Sequence, residues 1–389
     1  MIFRALRNRT PLGWLQLKHD KIRLLTALSG IAFADILIFM QLGFQEALYR
    51  TNTQYPRHLQ GEIVLTSTRA KNFNQLYTFS RRRLYQAMDV PGVESADAVY
   101  IGSLNWRNPQ TKEQTSMMLI GFDPDKPAFN LPEVNQQLDK VKTPYTVLFD
   151  RASRGDYQEV IEQVEQGEVV TTESDRNTIT IGGLFKLGAS FQDDGALITS
   201  DQNFLRLFPR KEAGTVSLGV INLEEGRDAE QVRAALNAYL PEDVQAFTAQ
   251  EYIEAELNHI QTNTAIGFIF TLGSAMGFVV GIVIVYQVLS TDVNDHMAEY
   301  ATFKAMGYRN TYLLGVVFEE AIILALVGFL PSVAIATGLY GLTATATALP
   351  LAMPLSRAIL VLILTILMCG ISGAIATRKL QAADPADIF

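Results

Sequence analysis

Residues 248–289 read TAQEYIEAELNHIQTNTAIGFIFTLGSAMGFVVGIVIVYQVL, and this stretch decides the fold. Thr248 and Glu251 stand at capping-box spacing, where a threonine hydroxyl and a glutamate carboxylate satisfy each other's otherwise unpaired amides. No proline follows before Leu289, which predicts a single helix from Ala249 to Leu289. That helix is on the order of 60 Å long, about twice the apolar thickness of a bilayer. Its second half, Ala265 to Leu289, carries no charge and is long enough to cross a membrane. The first half, with Tyr252, Leu257 and Ile260, must then project as a stalk. Gly273, Gly277 and Gly281 recur every fourth residue on one helix face, where missing side chains let a neighbouring backbone approach.

Three further windows have the length and apolarity of membrane spans: Leu24 to Phe44, Leu313 to Leu342 and Ala358 to Ala376. The predicted class is therefore an α-helical membrane protein with four transmembrane helices and a mixed α+β extracytoplasmic domain of two subdomains. A mean hydropathy of +0.13 alongside 19% charged residues fits such a division between two solvents. Residues 46–262 alone hold 21 Lys/Arg and 31 Asp/Glu, an ordinary soluble composition.

Charge beside the spans sets their direction, because Lys and Arg are retained on the cytoplasmic side. Arg4, Arg7, Arg9, Lys18, Lys21 and Arg23 precede the first span. The predicted order is a cytoplasmic or interfacial amphipathic segment (1–23), span one (24–44), and an external, periplasmic domain (45–263) with its stalk at 249–264. Then follow span two (265–289), a cytoplasmic segment (290–312), span three (313–342), a short outer loop (343–357), span four (358–376) and a cytoplasmic tail (377–389). Lys304, Arg309, Arg378 and Lys379 then fall inside, against Arg357 alone in the short outer loop. A cleaved signal peptide is the rival reading of the N-terminus, but the apolar run is too long and no small-residue cleavage pattern follows Phe44. Before span one, Leu12, Trp14, Leu15 and Leu17 suit either a helix lying in the inner interface or a span that begins early.

The external domain reads as strands at Glu62–Ser67, Val93–Ile101, Gln114–Phe122 and Val216–Leu223, with two more around the glycines of Thr178–Phe191. Helices are expected from Ser80 to Met88, Asp201 to Phe208 and Asp228 to Tyr239, the last with Asp228 and Gln231 at capping-box spacing; 123–170 reads as a polar stretch. The single cysteine, Cys369, lies in span four, so the external domain has no disulfide. The four histidines have no ligand spacing, Asp193-Asp194-Gly195 reads as a turn, and no metal or cofactor is expected. Arg81-Arg82-Arg83 reads as a solvated face or an anion-binding run. No zincin motif, nucleophile elbow or redox cysteine pair points to an enzyme, and nothing points to nucleic acid.

Three acidic residues stand inside apolar runs. Asp35 is half-way along span one, where a carboxylate costs roughly 2.5–3.5 kcal/mol on insertion scales. It must face protein or water, either in a polar path or subunit contact, or in a hydrogen bond to a neighbouring helix. Glu319 and Glu320 enter span three without the chain of ionisable groups a proton relay needs. Between spans two and three, Asp292 is a candidate helix cap, Gly307 a candidate stop, and Glu299 and Lys304 lie on the intervening helix. Met297, Tyr300 and Phe303 give that helix an apolar face suited to docking.

The segment Glu299-Tyr300-Ala301-Thr302-Phe303-Lys304-Ala305-Met306-Gly307 resembles the coupling segment of permeases of the MacB and FtsX superfamily. Phe318-Glu319-Glu320-Ala321 leading to Gly328 is similar to that family's third-span entry, and Lys379-Leu380 through Asp384-Pro385-Ala386-Asp387 to its tail. Gly30-Ile31-Ala32-Phe33-Ala34-Asp35 with Phe39-Met40-Gln41-Leu42-Gly43-Phe44 resembles the cyanobacterial DevC group. The resemblance implies a homodimeric inner-membrane permease among membrane lipids, with Met297, Glu299, Tyr300, Phe303, Lys304, Met306 and Gly307 coupling to an ABC ATPase. For DevC-like members it implies a periplasmic adaptor (membrane fusion) protein, a TolC-like outer-membrane channel, and a glycolipid or other amphiphile as cargo. An FtsX-like regulator of an envelope hydrolase and a lipoprotein-release permease remain open within the superfamily. MacB itself carries its ATPase on the same chain; no G-x-x-x-x-G-K-[ST] loop occurs here, so ATP is expected on a separate subunit.

Overall fold

The computed structural model describes residues 21–174, 177–212, 214–263 and 265–382. The expectations for Leu12–Leu17 and for Asp384–Asp387 fall outside them, as does Thr264, where the predicted continuous helix would join its stalk. Six helices carry the argument: α1 (Lys21–Arg57), α2 (Ala249–Asn263), α3 (Ala265–Asp295), α4 (Met297–Ala305), α5 (Asn310–Thr347) and α6 (Leu355–Ala382). Among the described residues, four stretches are long and apolar enough to cross a membrane: Leu24–Arg57, Gly267–Asp295, Leu314–Thr347 and Leu355–Thr377. The chain divides into a helical unit, 21–46 with 266–342 and 351–382, and a sheet unit, 47–265 with 343–350.

In the helical unit, small residues set the spacing. Ala27, Ile31 and Ala34 of α1 bury against Val285 and Leu289 of α3, Ala321 and Ala325 of α5, and Met368 and Cys369 of α6. A second cluster joins Ile38 and Phe39 of α1 to Ala336 and Tyr340 of α5 and Val361 of α6. Leu272, Met276, Val279 and Val283 of α3 stay exposed, as expected of a helix whose other face meets hydrocarbon.

The sheet unit is built on nine strands in the order β11-β1-β10-β3-β4-β8-β5-β7-β6. They are β1 (Ile63–Ser67), β3 (Val93–Arg107), β4 (Gln114–Phe122), β5 (Thr146–Asp150), β6 (Val170–Ser174), β7 (Asn177–Phe185), β8 (Ala196–Ser200), β10 (Leu218–Leu223) and β11 (Val244–Thr248). The ribbon of β2 (Phe79–Ser80) and β9 (Thr215–Val216) stands apart. Both faces are covered, so successive side chains of one strand enter different cores. Ile63 and Leu65 of β1 join Trp106, Phe149 and Leu236 on one face, while Val64 joins Tyr55, Phe129, Leu148 and Tyr252 on the other.

This arrangement departs from the sequence reading in two places. The two expected subdomains share one sheet, because β3 is long enough to serve both halves: Val93–Val99 pairs with β10 and Val99–Arg107 with β4. The two strands expected around the glycines of Thr178–Phe191 are the single β7, which passes through Gly182 and Gly183 beside a register shift against β5. At the stalk, Glu251 N–H donates to Thr248 Oγ1 (3.2 Å) and Thr248 N–H to the Glu251 carboxylate (2.8 Å), a reciprocal capping box. Asp228 caps its helix by accepting from Glu230 N–H at 2.9 Å.

Candidate functional site

The segment between α3 and α5 is a short helix wedged against both. Helix α3 continues to Asp295, so Asp292 is not a cap: it sits buried in the last turn, where its carbonyl accepts from His296 N–H at 3.1 Å. Helix α4 ends at Ala305, and Gly307, two residues on, has a φ of +90°, the left-handed conformation that ends helices. Tyr308 N–H reaches back to the Phe303 carbonyl at 3.1 Å, closing the turn. Any other residue at 307 would hold that φ at a steric cost.

The apolar residues of this helix are turned inward. Tyr300 is 1% exposed and packs on Val293 of α3 and Val317 of α5, with Met297, Phe303 and Tyr312 around it. Their apolar character is thus accounted for by packing within the chain, not by an open docking face. The outward side carries Glu299 and Thr302, with Met306 (61% exposed) and Tyr308 at its end. Tyr308 packs against Tyr312 with ring centroids 4.9 Å apart and the ring planes tilted by 44°. The structure does not describe the Lys304 side chain.

The glycine ladder lies against α1. A Cβ on Gly273 would stand 2.6 Å from Gln41 Cδ, one on Gly277 3.1 Å from Ile38 Cγ1, and one on Gly281 3.0 Å from Ala34 Cβ and in collision with Met368 Sδ. Asp35, on α1 between these contacts, is fully buried and its Oδ1 accepts from Thr365 Oγ of α6 at 2.8 Å. That bond is one of the alternatives for Asp35, the hydrogen bond to a neighbouring helix. Glu320 is fully buried and Glu319 half-buried in α5. Arg357 pairs with Glu46, donates to the Ala352 carbonyl at 2.9 Å and lies over the Tyr340 ring. Tyr340 in turn donates to the Phe39 carbonyl. That network explains how one arginine is tolerated in the first turn of α6.

Sequence reasoning missed a second cluster, in the sheet unit. Arg154 Nε donates to the Thr347 carbonyl (2.8 Å) at the end of α5, Nη2 to the Ser190 carbonyl (2.9 Å), and Nη1 pairs with Asp194 (2.7 Å). A cation at a helix C-terminus is favoured by the unpaired carbonyls there. Asp150, 0% exposed, accepts from the amides of Ala152, Leu187 and Gly188 at 2.7–3.0 Å. Burial holds its carboxyl above the usual range, and these three amides oppose that shift. Arg83 pairs with Asp243, so the arginine run is partly engaged. Asp193 accepts from Ser103 and Ser116, and no group of metal-ligating side chains forms among the described residues.

Replacing Arg154 with Ala removes a charge-assisted bond to a helix end, another to the Ser190 carbonyl and one ion pair, each worth on the order of 1 kcal/mol at partial exposure. Amide exchange across 187–195 and 347–349 is expected to quicken about tenfold. Unchanged exchange in both segments would mean that Arg154 does not hold them.

Residues 271–385 match the family model described as FtsX-like permease C-terminal. The matched part runs from Thr271 of α3 through α4, α5 and α6. No curated protein matches the sequence. Solved structures similar to the chain include the periplasmic region of MacB from Actinobacillus actinomycetemcomitans (10% identity, TM-score 0.34, covering 54% of this chain and 96% of that one). Another is the extracellular domain of the noncanonic ABC-type transporter YknZ from Gram-positive bacteria (14%, 0.32, 48% and 99%). A third is a domain of a permease protein from Porphyromonas gingivalis (15%, 0.29, 49% and 89%).

Proposed function

We propose that this chain is the permease subunit of an ABC-type exporter of the inner membrane, with residues 47–265 on the periplasmic side and α4 on the cytoplasmic side. A separate ABC ATPase binds the outer side of α4. A periplasmic adaptor and a TolC-like outer-membrane channel continue the path, two copies of the chain form the working permease, and the cargo is a glycolipid or another amphiphile. The observation that carries this reading is the seating of Tyr300. Because its ring is packed on both Val293 and Val317, a push on α4 is delivered to α3 and α5 together. Interiors packed at this density transmit displacement instead of absorbing it.

The test is ATP hydrolysis by a candidate ABC ATPase reconstituted with the full chain in proteoliposomes. Met306→Asp places a charge on the outward side without touching the Tyr300 cluster. It is expected to lower stimulated hydrolysis more than tenfold, since charging an anchor at an interface costs about 2 kcal/mol or more. Full stimulation with this variant would remove the outer side of α4 as the ATPase contact. Recovery of a cell-wall hydrolase, in place of an adaptor, with crosslinked chain would favour the FtsX-like signalling reading.

A further inference from the structure

A cleft of about 680 Å³ belongs entirely to the sheet unit. Arg50, Gln54 and Arg57 line it from α1, at spacings of four and seven residues that put them on one helix face, with His58 just past the helix end. Ala344 and Leu349, from the end of α5 and the turn after it, also line it. None of the lining residues is acidic. Among the described residues neither Arg50 nor Arg57 is paired with a carboxylate; Arg57 Nε donates to Thr53 Oγ1 at 3.1 Å. The floor is held rigid: Gln54 donates to the Gly188 carbonyl at 3.1 Å, and Gly188 N–H donates to buried Asp150 at 2.7 Å.

A cleft lined by cations and by apolar carbon, with no acid among its lining residues, is complementary to an anion that carries hydrocarbon. We propose that it binds the phosphate headgroup of an anionic amphiphile held in the outer leaflet of the same membrane, with Arg50 and Arg57 gripping the phosphate oxygens. Arginine suits this role because its planar donors meet two oxygens at once. Ala344 and Leu349 cover the first carbons of the lipid. This deepens the export reading and rests on it only for the side of the membrane that the cleft faces.

The test uses the full chain in neutral detergent micelles, without any ATPase, and a short-chain fluorescent phosphatidylglycerol as the probe. Binding is expected to be about tenfold tighter than for the matching phosphatidylcholine, and the double variant Arg50→Gln/Arg57→Gln is expected to weaken it about tenfold, the scale of one or two charge-assisted bonds. The double variant Arg50→Lys/Arg57→Lys should keep most of the binding, and Arg82→Gln, an exposed arginine outside the cleft, should keep all of it. Ala344→Trp leaves every charge in place but narrows the cleft, and should also weaken binding; it separates loss of the site from loss of folding, which a melting curve reports for each variant. Equal affinity for the two lipids, or retention by the glutamine double variant, overturns the proposal. Displacement of the probe by glycerol phosphate alone at equal concentration overturns the amphiphile and leaves a free-anion site. Because no ATPase is present, failure here leaves the permease reading standing, and failure of ATPase stimulation leaves this result standing.

Discussion

Gly281→Leu yields no stable helical unit. Position 281 has no room for even a first carbon, since an added Cβ would stand 3.0 Å from Ala34 Cβ and overlap Met368 Sδ. Met368 is the flexible end of a side chain and can swing away, so Gly281→Ala is expected to cost only about 1–2 kcal/mol, within the overpacking range. Leucine adds three more carbons and forces α1 and α3 apart. In a bilayer the helices are held by close contact and not by exclusion of water, so separation loses the contacts of the whole ladder. Gly277→Leu, against Ile38 and Leu37, and Gly273→Leu, against Gln41, follow the same logic. The expected loss for Gly281→Leu exceeds about 3 kcal/mol, read as disappearance of the monodisperse peak in size-exclusion chromatography and a fall of more than 10 °C in the melting temperature. Gly338→Leu and Gly341→Leu are the controls, because a Cβ at either meets nothing within 4 Å. A Gly281→Leu protein that melts with the wild type would show that the ladder is not a packing surface.

The same ladder shows what a sequence can disclose. Apolar windows and every-fourth-residue glycines are local patterns, and each has one physical explanation in a membrane helix. The Thr248–Glu251 capping box is equally local and forms at hydrogen-bond distance. Strand order is not local: β8 lies between β4 and β5, parallel to the first and antiparallel to the second, and nothing in Ala196–Ser200 announces either neighbour. β5 was hidden within the polar stretch 123–170 because five residues buried on both faces show no alternation. Arg154 was invisible because its partner Thr347 lies 193 residues away. Tyr300 was legible as an apolar residue on a polar helix but not in direction. Its partners Val293 and Val317 belong to the helices on either side, and only their packing turns the ring inward. Arg50, Gln54 and Arg57 did carry a signal, a polar stripe at helical spacing, but it fell beyond Phe44, where the apolar run of α1 ends and the helix does not.

Glu256 is expected to make the fold lose stability as pH rises. It sits on α2, only 4% exposed, and faces the Thr66–Asn72 segment beside Tyr252. Burial pushes its carboxyl up from 4.5 to about 8, opposed only in part by the Phe73 backbone amide, which favours the charged form. The folded chain therefore holds a proton that the unfolded chain releases near its ordinary value. The contribution is fully present below about pH 4.5, declines as pH rises, and is gone above about pH 8. The slope is about 1.4 kcal/mol per pH unit between those limits, a few kcal/mol in all. Above that range the charged carboxylate must be solvated or the α2 contact with the Thr66–Asn72 segment must open, and the Tyr252 phenol, itself pushed well above 10 by burial and by the Glu256 charge, offers no compensating cation. Glu256→Gln keeps the shape and a hydrogen-bonding oxygen for the Phe73 amide but cannot ionise. Melting curves of the full chain at pH 5.5, 7.0 and 8.5 should show the wild type losing several degrees relative to the variant as pH rises, because every other titrating group is common to both. Parallel curves across that range would mean that Glu256 ionises in the folded protein as it does in the unfolded one, and that the α2 contact does not depend on its proton.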